Sequence, residues 1–333
     1  MNGTTGKTGL VAERSGAISP RDYKSKELVW DSLAATRSKP RRVLPEGDVV
    51  GHLYPPAKAA LLTHPLMKNL PPETLRLFFI HSAYKFMGDI AIFETETVNE
   101  VAMKIANGHT PITFPDDIRH DALTVIIDEA YHAYVARDFM RQIEQRTGVK
   151  PLPLGTETDL SRAMAFGKHR LPETLHGLWE IIAVCIGENT LTKDLLNLTG
   201  EKSFNEVLHQ VMEDHVRDEG RHAVLFMNVL KLVWSEMEES ARLAIGQLLP
   251  EFIREYLSPK MMAEYERVVL EQLGLAAEHI ERILSETYSE PTLEDFRARY
   301  PLSGYLVYVL MQCDVLSHAP TREAFRRFKL LAH

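Results

Sequence analysis

Cysteine is almost missing from this chain: Cys185 and Cys313 are the only two in 333 residues. That excludes a disulfide framework and fits a reduced, cytoplasmic compartment. No stretch approaches the roughly 18 uninterrupted apolar residues of a membrane-spanning helix. The first twenty residues are rich in Gly, Thr and Ser without an apolar run, so neither a signal peptide nor an anchor is expected there. A basic surplus is also missing. The formal charge of −8 argues against a nucleic-acid binder. No period-two alternation, no internal repeat and no flavin or nicotinamide fingerprint is recognisable, which removes sandwiches, propellers, solenoids and dinucleotide folds.

What remains is a chain with 45% hydrophobic and 25% charged residues, patterned for helices. Residues 1–50 read as a loosely structured arm, with one helical piece near 27–37 and a basic cluster, Lys39-Pro40-Arg41-Arg42, taken as solvated linker. Residues 51–333 read as a single all-α domain. Pro71-Pro72-Glu73 starts a long helix that Gly108 ends. A second runs from Pro115-Asp116-Asp117 to Gly148, and a third from Pro172-Glu173 to Gly200. A fourth runs to Met237, with Ser203 as its cap and Glu206 completing a capping box. The stretch 150–155 reads as loop. Shorter helices are expected over 238–257, 259–273, 275–288, 302–318 and 320–331, with Pro250, Pro259, Gly274, Pro291 and Pro301 as breakers.

The chemistry concentrates in two segments that repeat one pattern, Asp128-Glu129-x-x-His132 and Asp218-Glu219-x-x-His222. His215, Glu219 and His222 fall at i, i+4 and i+7, on one face of a helix turning about 100° per residue. Two imidazoles and a carboxylate along one stripe are costly in a core unless they bind something. The remaining ligands follow from height. Glu94 lies 14 residues before Gly108 and Glu129 14 after Pro115, both about 21 Å from the turn. Glu188 lies 12 before Gly200 and His215 12 after Ser203. This favours Glu94 over Glu96 and Glu100, and Glu188 over Glu180. Two hairpins then present one Glu from each of two helices and Glu-x-x-His from each of two others, the four-helix carboxylate bundle. Four carboxylates and three imidazoles suit two first-row metals, iron foremost, and four negative charges balance two Fe²⁺. Asp128 and Asp218 are candidate acceptors for ligand imidazole N–H groups. His120, His176 and His209 lack partners at ligand spacing, and Cys185 reads as a small core residue.

The ligand set resembles that of the non-haem dinuclear-iron arylamine N-oxygenases, the family of p-aminobenzoate N-oxygenase. The resemblance spans roughly residues 94–222, and its specific mark is the seventh ligand, His215. It implies a ferritin-like bundle with additional C-terminal helices, typically a homodimer. One iron would be served by Glu94, Glu129 and His132, the other by Glu188, His215 and His222, with Glu129 and Glu219 as bridges. The implied activity is reduction of two irons by an external donor, use of O₂, and oxygen transfer to an amine nitrogen. The product would be a hydroxylamine or, carried further, a nitroso or nitro compound. The substrate would be a small amine or one tethered to a carrier protein. Arg297, Arg299 and Arg322 are candidates to anchor a carboxylated amine.

Two alternatives stay open on the residues alone: a hydroxylase or desaturase acting on a carrier-bound substrate, and a non-catalytic ferritin-like iron-binding protein. A radical-generating reductase subunit would want Tyr one turn after His132, where this chain has Ala136. A storage protein leaves 238–333 without a purpose, whereas in an oxygenase that third would close the substrate pocket.

Overall fold

Proline and glycine set the ends of the first two long rods. Pro72 occupies the first turn of α1 (Pro72–Ile92), where its missing N–H costs nothing. The rod continues through a π-helical turn, Phe93–Val98, into α2 (Asn99–Asn107) and stops at Gly108, which takes φ +71°. That left-handed conformation suits glycine and frees the carbonyls of the last turn to accept from the returning chain. Pro115 caps α3 (Asp116–Thr147), whose first turn carries Asp116 and Asp117 against the helix dipole, and Gly148 ends it at φ +70°. The computed structural model describes residues 20–331 apart from 48 and 50, and these are the described residues below.

The second hairpin follows α4 (Asp159–Lys168), a helix not expected from sequence although Thr158 and Ser161 close a capping box at its start. α5 (His176–Thr199) is preceded by a 3₁₀ turn at Glu173–Leu175. α6 (Glu206–Glu236) is capped by Asn205, whose Oδ1 accepts from Val207 N and Leu208 N, and not by Ser203. α5 packs along α6, α3 along α1 and α2, and α3 against α6. Among the described residues the only extended pairing is one bridge, His52 to Phe204. The fold is all-α, with a ferritin-like bundle at its centre.

The C-terminal third forms α7 (Glu239–Tyr256), α8 (Lys260–Gln272), α9 (Ala277–Thr287), α10 (Leu302–Gln312) and α11 (Ala319–Arg327), close to expectation. Pro250 is a difference: it sits inside α7 and does not break it. These helices sheathe the bundle, α7 on α4, α10 on α5 and α8 on α1.

Residues 20–47 are not a loose arm. Tyr23, Ala34, Ala35 and Leu44 are buried, and this strap is tied along α3 and α6 by side-chain bonds. Tyr23 donates to Asp121 (2.6 Å), and Leu44 N donates to Gln142 (2.8 Å). The basic cluster is part of the tie: Arg41 forks onto Asp138, and Arg42 pairs with Asp214 at 2.7 Å. A composition rich in small and polar residues hides these contacts, since each needs a partner about a hundred or more residues away. The expectation for residues 1–19 lies outside the described residues.

Two apolar clusters fill the bundle, one above and one below a single level. On the first rod the upper cluster ends at Ala91 and the lower begins at Phe93. On α3 the lower ends at Val125 and the upper begins at Ala133. On α5 the lower ends at Ile186 and the upper resumes at Leu195. On α6 the upper ends at Met212 and the lower begins at Leu225. Each change of cluster falls at, or next to, the acid or imidazole that the helix carries. Where α4 crosses α5, Gly167 lets the Trp179 ring lie so close that an added Cβ would fall 2.1 Å from it. Gly167→Ala is expected to destabilise the protein by about 1–3 kcal/mol, because the clash outweighs alanine's better helix propensity. A thermal melt should fall by several degrees; an unchanged or higher Tm would show that Trp179 has room to move.

Candidate metal centre

The interrupted level brings all seven expected residues together. Glu94, on the π-helical turn, meets Glu129 and His132 from α3 and His215 and Glu219 from α6 in one group of donor atoms. Glu129 and Glu219 meet Glu188 of α5 and His222 of α6 in a second. Glu94, Glu129, Glu188 and Glu219 are fully buried, and the three imidazoles are at most 5% exposed. His215 Nε2 lies 2.9 Å from Glu94 Oε1 and 3.2 Å from Glu219 Oε1. His132 Nδ1 lies 3.2 Å from Glu129, and His222 Nδ1 lies 2.8 Å from Glu129 and 3.3 Å from Glu219.

Behind the cluster the two motifs hold each other. Asp128, beside one Glu-x-x-His, faces the ring of the other: His222 Nε2 is 3.3 Å from its Oδ2. Asp218 returns the arrangement, with His132 Nε2 at 3.1 Å. Each Nε2 thus faces outward to an acid and each Nδ1 faces inward, the orientation in which a deprotonated Nδ1 can ligate a metal. Arg221 bridges the two acids, bonding Asp218 and reaching Asp128 at 3.2 Å. The strap completes both acids: Trp30 Nε1 donates to Asp128 at 2.9 Å, and Ala35 N donates to Asp218 at 3.1 Å.

The donor set fits two cations and little else. Both oxygens of Glu94 and of Glu188, Oε1 of Glu129, Oε2 of Glu219 and Nδ1 of His222 are buried without a hydrogen-bond partner among the described residues. Buried polar atoms are seldom left so. Here donors crowd within hydrogen-bonding distance yet aim past one another, as lone pairs do around an ion. Glu129 and Glu219 belong to both groups.

Burial pushes Glu94 up to about 7, with His215 pulling the other way. It also raises Glu188, which Glu219 and Glu129 push further. Burial lowers His132, but Asp218 and Glu129 outweigh it and the ring stays protonated above its ordinary range. Burial likewise opposes the charge on His222 and His215, and Glu129 and Glu94 respectively lead the neighbours that raise them. Glu219 runs the other way: burial pushes it up, but His222 and His215 hold it low.

The family model of P-aminobenzoate N-oxygenase AurF matches residues 45–300, more than half of the chain. The chain belongs to this family. Comparison with curated proteins finds no match. Family and cluster together make it an enzyme, an O₂-dependent oxidoreductase of the diiron N-oxygenase type. One family-based expectation is corrected. His215 does not join Glu188 and His222; it joins Glu94 and His132, its ring centroid 4.0 Å from that of His132. Seven residues of α6 span about 10 Å, which carries His215 and His222 to opposite ends of the cluster.

The rival residues are accounted for. Glu96 and Glu100 are exposed, and Glu180 pairs with Lys104 at 2.9 Å. His120 pairs with Glu27, and His176 and His209 meet backbone carbonyls. Cys185 is a buried core residue. Sequence reasoning missed Arg221, although its place between the two motif residues Asp218 and His222 was visible, and it missed Trp30 and Ala35, for which no local signal exists.

Without metal, the folded cluster holds protons on Glu94, Glu188 and the three rings that an unfolded chain releases near neutrality. Folded-state pKa values above the unfolded ones mean that the metal-free protein loses stability as pH rises, between about 4.5 and 7 for Glu94 and from about 6.5 upward for the rings. Glu219 contributes with the opposite sign. Metal binding expels these protons, so affinity rises over the same range. The Tm difference between metal-loaded and metal-free protein is therefore expected to widen from about pH 6 to about pH 8. A difference that narrows would mean that the cluster takes up no protons when empty.

Proposed function

We propose that two iron ions occupy the two donor groups, with Glu94, Glu129, His132, His215 and Glu219 around one and Glu129, Glu188, Glu219 and His222 around the other. So held, the pair would supply O₂ activation and oxygen transfer to an amine nitrogen. His215 carries this reading, because a fifth donor on one side only makes the two positions unequal and leaves the four-donor position the more open. The four carboxylates offset the charge of two divalent ions, and the two apolar clusters keep bulk water from both. The electrons come from an external donor, since no flavin or nicotinamide motif is recognisable in the chain. A homodimer is the assembly we infer, in keeping with the exposed apolar residues Leu28, Leu123 and Ile127.

A cavity of about 40 Å³ reaches His132 and His215 from the surface, between the strap, α1, α3 and α6. It admits molecules the size of water or O₂, not an aromatic ring. Its lining includes Met87, Ile90 and Phe139 inside and Lys39, Arg41 and Arg42 at the strap, and none of its residues comes from 238–333. The strap, and not the C-terminal third, closes this approach. Arg297, Arg299 and Arg322 do not line it; Arg322 bonds the Leu316 carbonyl and Arg299 that of Thr287. Arg41 and Arg42 are neutralised by Asp138 and Asp214, whereas Lys39 has no acidic partner among the described residues. The substrate we infer is therefore an amine that also carries an anionic group, such as a carboxylated arylamine or an amino acid, admitted when residues 39–42 shift.

Reduced, iron-loaded protein given O₂ and a panel of acid-bearing and neutral amines is expected to form N-oxygenated products, detected by mass spectrometry. Iron oxidation with no amine product would favour an iron-binding protein without turnover. Lys39→Ala is expected to raise KM for an acid-bearing amine about tenfold with kcat little changed, the loss of about 1.4 kcal/mol of uniform binding. An unaltered KM would remove Lys39 from substrate binding.

A further inference from the structure

We infer that the strap is a working part of the metal centre: Trp30 and the backbone N–H of Ala35 are positioning groups, each governing one of the two metal positions. The inference rests on the two-metal reading above. It starts from how few donors reach Asp128 and Asp218. Both acids are fully buried. Asp128 accepts from Trp30 Nε1, Arg221 and His222; Asp218 accepts from Ala35 N, Arg221 and His132. Arg221 reaches both acids, closer to Asp218 than to Asp128. The strap contributes a different donor to each, an indole N–H to Asp128 and a peptide N–H to Asp218. An acid that loses one of three donors is freer to rotate, and the imidazole it orients turns with it. Trp30 thus acts through Asp128 on His222, which lies in the four-donor group with Glu188. Ala35 acts through Asp218 on His132, which lies in the five-donor group with Glu94 and His215.

Two substitutions remove the donors one at a time. Trp30→Phe removes the indole N–H and keeps an aromatic ring in place. Ala35→Pro removes the peptide N–H and puts the ring Cδ where its proton faced Asp218; Ala35 is the first residue of the short helix Ala35–Ser38, where the helix backbone tolerates proline. Ala34 before it already has φ −56°, ψ 137°, the extended conformation a following proline requires.

The experiment loads wild-type protein and both variants with Co²⁺ and follows chelator-driven release by visible absorbance. His222→Ala and His132→Ala identify the two release phases. Trp30→Phe is expected to accelerate release from the His222 position about tenfold, leaving the other within about twofold; Ala35→Pro should do the reverse. Two bound ions with neither rate altered would overturn the strap's role and leave the two-metal reading intact. Equal acceleration of both phases by both variants would reduce the strap to general stability. Wild-type protein that binds fewer than two ions would overturn the two-metal reading and this inference with it.

Discussion

Four carboxylates and three imidazoles share one buried level, and the rest of the molecule is arranged so that this is tolerable. Ionised groups out of water are costly unless paired, and these lack enough hydrogen-bond partners to pair among themselves. Two divalent cations would satisfy the orphaned oxygens, balance the charge and release the protons that burial and mutual repulsion otherwise impose. The two apolar clusters that stop on either side of this level are the other half of the same constraint. They supply the burial that holds the helices together and exclude the water that would compete for the ions.

The crossed pairing of Asp128 with His222 and Asp218 with His132 ties α3 to α6 at the same height. Because each acid belongs to one motif and orients the imidazole of the other, neither helix can shift along its axis without turning a ligand. Arg221 couples the acids, and the strap finishes both from outside the bundle. Local stiffness is thus concentrated where ligand geometry matters. The narrow approach to His132 and His215 lies under Lys39–Arg42, a segment held by the Arg41–Asp138 fork and the part-buried Arg42–Asp214 pair.

Helix ends were legible because proline, glycine and capping residues act over three or four positions. The rods 72–107 and 116–147 were readable on that ground; the helix from 206 was expected too, but with Ser203 as its cap instead of Asn205. The π-helical turn at Phe93–Val98 was not, although it carries Glu94. Its only side-chain mark is Thr95 donating to the Ala91 carbonyl, a bond that threonine makes in ordinary helices as well. The height argument still selected Glu94, since a widened turn alters its azimuth more than its level. α4 was missed despite its capping box, because a ten-residue helix between loops has too short a period to stand out.

The sequence by itself determined which residues meet. Helical periodicity and distance from a turn are arithmetic, and they converge on Glu94, Glu129, His132, Glu188, His215, Glu219 and His222. Only the tertiary structure decided how those seven divide, that His215 stands with Glu94 and His132, and that each aspartate serves the opposite motif. It alone turned residues 20–47 from an arm into a strap with Trp30 and Ala35 on the site's acids. The physical reason is range. Spacing along a helix fixes height and face, but which side chain leans toward which depends on contacts between segments about a hundred residues apart or more, and no local pattern records them.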